Sequence, residues 1–168
     1  MELFHVSFTE YNLGQTYIAP NPIGYHIRSV QRNEGWINET LDERRPAGFP
    51  SRIASFYACS ELANCQAFIG NKRIENQDPI FYKVEMDCLY GFPMVLIDRI
   101  RKLGHESALL EACISEYWSP TQEWKYLEFL SPSMTIMEIL PMPESLLANK
   151  GRMNYNFDFE LAKQQYAE

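Results

Sequence analysis

Apolar and polar residues alternate at the start of the chain, with Leu3, His5 and Ser7 on one face and Phe4, Val6 and Phe8 on the other. This period of two over residues 3–8 predicts a strand. The Phe4 face is expected to meet the core, and His5 and Ser7 to face a less apolar space. The pattern then breaks: residues 12–50 carry Gly14, Pro20, Pro22, Gly24, Gly35, Pro46, Gly48 and Pro50. Such punctuation predicts a long irregular stretch of the kind that lines or covers a site. A strand is expected over 52–58, followed by a helix over about 60–69, with Leu62, Cys65 and Ile69 at helical spacing. Alternation returns over 80–86, where Ile80, Tyr82, Val84 and Met86 share a face. Two helices are predicted over 93–103 and 106–118, broken at Gly104, from the stripes Leu96, Ile100, Leu103 and Leu109, Leu110, Cys113, Tyr117. Residues 125–130 and 134–140 read as a final hairpin around Ser131-Pro132-Ser133, and 159–166 as a last helix. Short strands and helices in this mixed order predict an α+β fold in one domain over 1–168.

Composition narrows the function classes. Hydrophobic residues make up 46% of the 168 and charged residues 22%, which suits a packed core rather than disorder. The net charge of -7 works against a broad electrostatic hold on nucleic acid. The longest clean apolar run, residues 94–97, is far short of a membrane span, and Met1-Glu2-Leu3-Phe4-His5 has no basic leader. Cys59, Cys65, Cys88 and Cys113 are widely spaced, as reduced thiols of a cytoplasmic protein would be. A cytoplasmic location without membrane contact is therefore expected, in the producing cell or after delivery into another cell. No closely spaced Cys/His pairs suggest zinc, so no metal is expected. The chain has no phosphate-binding glycine loop, no dinucleotide fingerprint and no G-x-S-x-G elbow.

Three features stand out from an ordinary core pattern. His5 lies inside a strand, Phe56-Tyr57 leads toward a helix, and Glu128 sits in the middle of an aromatic-rich strand, where glutamate is depleted. In this order, His5-Val6-Ser7, Ser55-Phe56-Tyr57-Ala58 and Glu128-Phe129-Leu130-Ser131-Pro132 resemble the motifs of the ADP-ribosyltransferase superfamily. Ile80-Phe81-Tyr82-Lys83-Val84-Glu85-Met86 is similar to the strand that precedes the acid in that superfamily. The resemblance spans residues 2–140. Val6 replaces the family's usual glycine, and the family's tyrosine falls on either Phe56 or Tyr57.

The resemblance implies a split mixed β-sheet flanked by short helices, with NAD as substrate. It implies transfer of ADP-ribose to a macromolecular acceptor, protein or nucleic acid, with release of nicotinamide. Glu128 would be the catalytic acid, His5 and Ser7 would hold the ribose, and the ring of Phe56 or Tyr57 would stack on nicotinamide. The pyrophosphate needs a cation; Arg52 is favoured and Arg28 is the alternative. Arg28, Arg32, Arg44, Arg45 and Arg52 lie in or beside the irregular stretch as a possible acceptor groove. A small free-standing transferase of this kind fits a toxin, a defence protein or an effector, and an antitoxin or inhibitory partner would then be expected. Two other readings stay open: a binding module that keeps the fold without the chemistry, and an unrelated α+β interaction protein.

Overall fold

The computed structural model describes residues 1–65, 68, 78–144 and 156–166. Seven strands form one sheet: β1 (Glu2–Ser7), β2 (Thr16–Ile18), β3 (Phe56–Cys59), β4 (Ile80–Glu85), β5 (Gly91–Pro93), β6 (Leu127–Ser131) and β7 (Ser133–Leu140). Their order is β2-β7-β4-β1-β3-β6-β5. Among the described residues these helices accompany them: α1 (Gly24–Gln31), α2 (Gly35–Glu43), α3 (Val95–Leu103), α4 (Leu110–Trp118) and α5 (Asn156–Gln165). The fold is α+β.

The sheet is antiparallel at every pairing, not mixed as expected. A parallel pair needs a single crossover that returns the chain to its starting end. Here two helices packed on each other, α3 and α4, separate β5 from β6, and β6 comes back antiparallel.

β6 and β7 do not form the expected hairpin. Four other pairings separate them in the sheet, and the antiparallel registers make them run in the same direction. Only Pro132 lies between them. Crossing from β6 to β7 in a flat sheet would cover four strand spacings, roughly 19 Å, whereas one residue spans at most about 3.6 Å. The halves β2-β7-β4-β1 and β3-β6-β5 therefore do not lie in one plane, and the chain passes between them at Pro132. They meet elsewhere at one register position, Phe4 opposite Cys59. Ser-Pro-Ser marks a bend in a continuing strand rather than a reversal.

The stretch read as irregular contains β2, α1 and α2. Its prolines and glycines fall at element boundaries rather than inside elements. Asn33, at φ 60, turns the chain out of α1, and asparagine tolerates that left-handed conformation. Gly35 then opens α2 so close to α1 that a Cβ would stand 2.5 Å from Val30 Cγ2. Ile37 and Leu41 of α2 are buried in the core.

Other boundaries shift. β3 begins at Phe56, and Arg52 lies in the preceding turn, because Asp42 of α2 accepts the Arg52 backbone N–H at 2.7 Å. Of the helix expected at 60–69, a 3-10 turn over Leu62–Cys65 is described; residues 66, 67 and 69 lie outside the described residues. α5 starts before the expected residue 159. Its buried Asp158 accepts the backbone N–H groups of Lys125 and Tyr126, the latter at 2.8 Å, and so fixes the chain entering β6.

The main core contains Leu3, Tyr82, Val84, Phe56, Phe92, Leu96, Ile100, Ile114 and Trp118. A smaller cluster of Val6, Cys59, Cys65, Phe81 and Met94 has Phe4 packed against it. The expected Phe4 and Val6 face thus meets an apolar cluster, but the smaller one, and the Leu3 face meets the larger core. All four cysteines are free thiols. No helix among the described residues is long and apolar enough to cross a membrane. No group of three or more metal-ligating side chains occurs among the described residues.

Candidate active site

A cleft of about 350 Å³ opens where β1 and β3 part. His5 and Ser7 line it from β1, Phe56 and Tyr57 from β3, Tyr25 and Arg28 from α1. Four of the predicted site residues therefore share one cavity.

His5 is the best-defined polar group there. Register places it opposite Tyr82, and the rings of Tyr11, Phe56 and Tyr82 surround it at 5.9–6.3 Å. Its Nδ1 lies 2.7 Å from the Tyr57 carbonyl oxygen, so Nδ1 carries the proton and donates. This side-chain bond spans the two strands just beyond the place where their ladder stops. Burial pushes the imidazole down to about 4, and the bond to Tyr57 offsets only part of that. The ring is neutral at pH 7, and Nε2, buried and without a hydrogen-bond partner among the described residues, is left as an acceptor. Buried polar atoms are nearly always paired, so an orphan acceptor on a cleft residue is chemically informative.

The two candidate aromatics differ in their ties. Phe56 packs edge-on to His5 and Tyr11. The Tyr57 hydroxyl donates to the Arg52 carbonyl, and its ring lies 4.8 Å from that of Tyr25. Burial raises the Tyr57 hydroxyl above its usual range despite the nearby Arg52 charge, so it stays protonated. Ser7 ends β1, and its Oγ accepts the Thr9 N–H at 3.0 Å.

Glu128 does not line this cleft. It borders a smaller cavity of about 70 Å³ with Arg52, Asp98 and Arg101. Tyr25 and Phe68 line both cavities and form the wall between them. The registers Phe4–Cys59 and Cys59–Glu128 would send Glu128 and His5 to opposite faces of a flat sheet. The break between the two halves lets both border neighbouring cavities.

Arg52 is found with Glu128 rather than in the cleft. Its Nη1 donates to Glu128 Oε1 and to the Tyr117 hydroxyl, and its Nε donates to Asn38 Oδ1 at 2.9 Å. Tyr117 also donates to Glu128 Oε1, at 2.6 Å. The guanidinium lies 5.1 Å from the ring centroids of both Tyr57 and Tyr117. Burial opposes its charge, but Glu128 and the surrounding tyrosines outweigh it and hold the guanidinium above its ordinary range.

The arginine cluster disperses. Arg44 pairs with Glu111 and Glu43, Arg45 donates to the Phe49 carbonyl, and Arg32 pairs with Glu34. Arg28 alone of the five lines the cleft, with no side-chain hydrogen bond or ion pair among the described residues. Sequence reasoning did not single out Asn38, Tyr25 or Tyr117. Asn38 lay in the stretch read as irregular, and Tyr117 looked like one more position on an apolar helix stripe.

Compared with protein-family models and with curated proteins, the chain matches none.

Proposed function

We propose that this protein transfers ADP-ribose from NAD to a macromolecular acceptor and releases nicotinamide. The observation that carries this reading is His5, a neutral imidazole that lines a 350 Å³ cleft beside Phe56 and Tyr57 and whose acceptor nitrogen has no partner among the described residues. A second support is positional. The four segments that resemble the superfamily motifs occupy four adjacent strands, β4, β1, β3 and β6.

In this reading His5 Nε2 accepts a hydrogen bond from a ribose hydroxyl, and Ser7 flanks it. Tyr57 stacks on nicotinamide, in the place where the Tyr25 ring now lies 4.8 Å away. The cation on the pyrophosphate is Arg28 rather than Arg52, because Arg52 lies outside the cleft with its Nη1 bonded to Glu128 and Tyr117 and its Nε to Asn38. Leaving of nicotinamide breaks the bond from the ribose anomeric carbon to the pyridinium nitrogen. The electron pair goes to nicotinamide, and positive charge builds on the ribose. The Glu128 carboxylate, bonded to the adjacent hydroxyl, stabilises that charge more in the transition state than in the ground state. An acceptor nucleophile then bonds to the same carbon and loses its proton. For Glu128 to reach the sugar, the wall of Tyr25 and Phe68 has to open into the cleft.

One observation favours a second reading, a module that binds NAD without turning it over: Glu128 Oε1 already accepts from Arg52 and Tyr117, in a separate cavity. Nicotinamide release by wild type and by Glu128→Gln distinguishes the two. Release abolished by the substitution supports the transferase. A melting temperature raised by NAD without any release supports the module, since a ligand of the native state must stabilise it.

A further inference from the structure

The arrangement around Glu128 carries more than an ion pair. Arg52 is 1% exposed and Glu128 is 2% exposed, and removing two charges from water costs several kcal/mol per ion. An apolar pair of similar size would hold the fold as well. Both donors, moreover, converge on one carboxylate oxygen: Arg52 Nη1 and the Tyr117 hydroxyl each bond to Oε1. Among the described residues no hydrogen bond reaches Oε2, and Glu128 borders a cavity. The donors are themselves fixed. Asn38 holds Arg52 Nε, two tyrosine rings flank the guanidinium, and the Tyr57 hydroxyl bonds the Arg52 carbonyl.

We infer that Arg52 and Tyr117 are positioning residues that clamp one oxygen of Glu128 and present the other to the ribose hydroxyl of NAD. This rests on the reading of Glu128 as the acid of ADP-ribose transfer. The clamp fixes the carboxylate rotamer at the place where charge develops in the reaction. Neither residue lines the cleft. Their loss therefore affects the chemical step and leaves NAD binding alone, the opposite of what a pyrophosphate-gripping arginine would do.

The test is steady-state nicotinamide release and NAD affinity for wild type, Tyr117→Phe, Arg52→Lys and Arg52→Met, with circular dichroism confirming the fold of each. Misplacement of a catalytic group by about 1 Å costs about 100-fold in rate. Arg52→Met is expected to lose about that much kcat with KM unchanged, Arg52→Lys to recover part of it, and Tyr117→Phe to lose a smaller share. Should Arg52→Met fail to fold, Tyr117→Phe and Arg52→Lys carry the test. A wild type that turns over NAD, beside a Tyr117→Phe and an Arg52→Lys variant of equal kcat, overturns the clamp and leaves the transferase standing. So does a rise in KM at constant kcat. A wild type that releases no nicotinamide overturns both.

Discussion

Arg52 and Glu128, 76 positions apart in the chain, form an ion pair in which neither side chain is more than 3% exposed. The pair ties the turn before β3 to the start of β6, and Asn38 and Tyr117 extend it to α2 and α4. Breaking such a pair from one side strands a charge in the interior. Arg52→Met should cost about 3–5 kcal/mol, while Arg52→Met with Glu128→Leu should regain most of that loss. Urea denaturation of the single and double variants checks this. A double variant no more stable than the single one would mean that the interior gains from the charges themselves.

His5 gives a pH dependence with a definite sign. Its folded-state value of about 4 lies below the ordinary 6.5, so between these values the unfolded chain binds a proton that the folded chain refuses. Stability is therefore full above pH 6.5 and falls as the pH drops toward 4. This one group should remove about 2 kcal/mol between pH 7 and pH 5. His5→Gln should flatten that part of the profile, as read from urea midpoints at the two pH values. An unchanged slope would contradict the burial of a neutral imidazole.

Much of the fold and part of the site were legible in the sequence, for physical reasons. Period-two alternation identified β1 and β4 to within a residue or two, because each packs a whole face against buried side chains. The stripe Leu96, Ile100, Leu103 located α3 in the same way. Residues 16–43 were misread because their prolines and glycines punctuate three short elements that pattern alone merges into one loop. β5 was missed because three residues are too few to alternate. His5, Ser7, Phe56 and Tyr57 converge on the cleft as expected, since adjacent strands carry them. Arg52 lies outside the cleft, paired with Glu128, a placement hidden from the sequence because nothing in a linear pattern reveals that its counterion arrives from β6. The same limit hid Tyr117 and Asn38, whose role exists only in three dimensions.

Arg28 supplies a prediction separable from stability. Burial, with Arg32 nearby, lowers its guanidinium from the usual range, yet the group has no ionic or hydrogen-bonded partner among the described residues. A charge-assisted bond to an anion contributes about 1.5–3 kcal/mol. Arg28→Gln should therefore weaken NAD binding by about 10- to 100-fold, with a melting temperature close to wild type. Calorimetric titration with NAD measures the first and a thermal melt the second. Unaltered affinity would remove Arg28 from the site.

Gly91 offers a test of the sheet beside Glu128. A Cβ there would meet Leu127 Cδ1 at 2.8 Å and Phe129 Cζ at 3.0 Å, both on the neighbouring β6. Gly91→Ala should destabilise by about 1–3 kcal/mol through overpacking. A denaturation curve superimposed on wild type would show that β5 does not lie this close to β6.

The cleft's occupant can be read directly at His5. The chain has three histidines, and His105 packs instead against Trp36, at a ring-centroid distance of 3.8 Å. In protein labelled at the histidine rings, nuclear magnetic resonance on addition of millimolar NAD should shift the His5 Nε2 signal and leave the His105 signals in place. His5 resonances that stay unmoved at saturating NAD would contradict the account at its base, because Nε2, which has no partner among the described residues, would then have no ribose to meet.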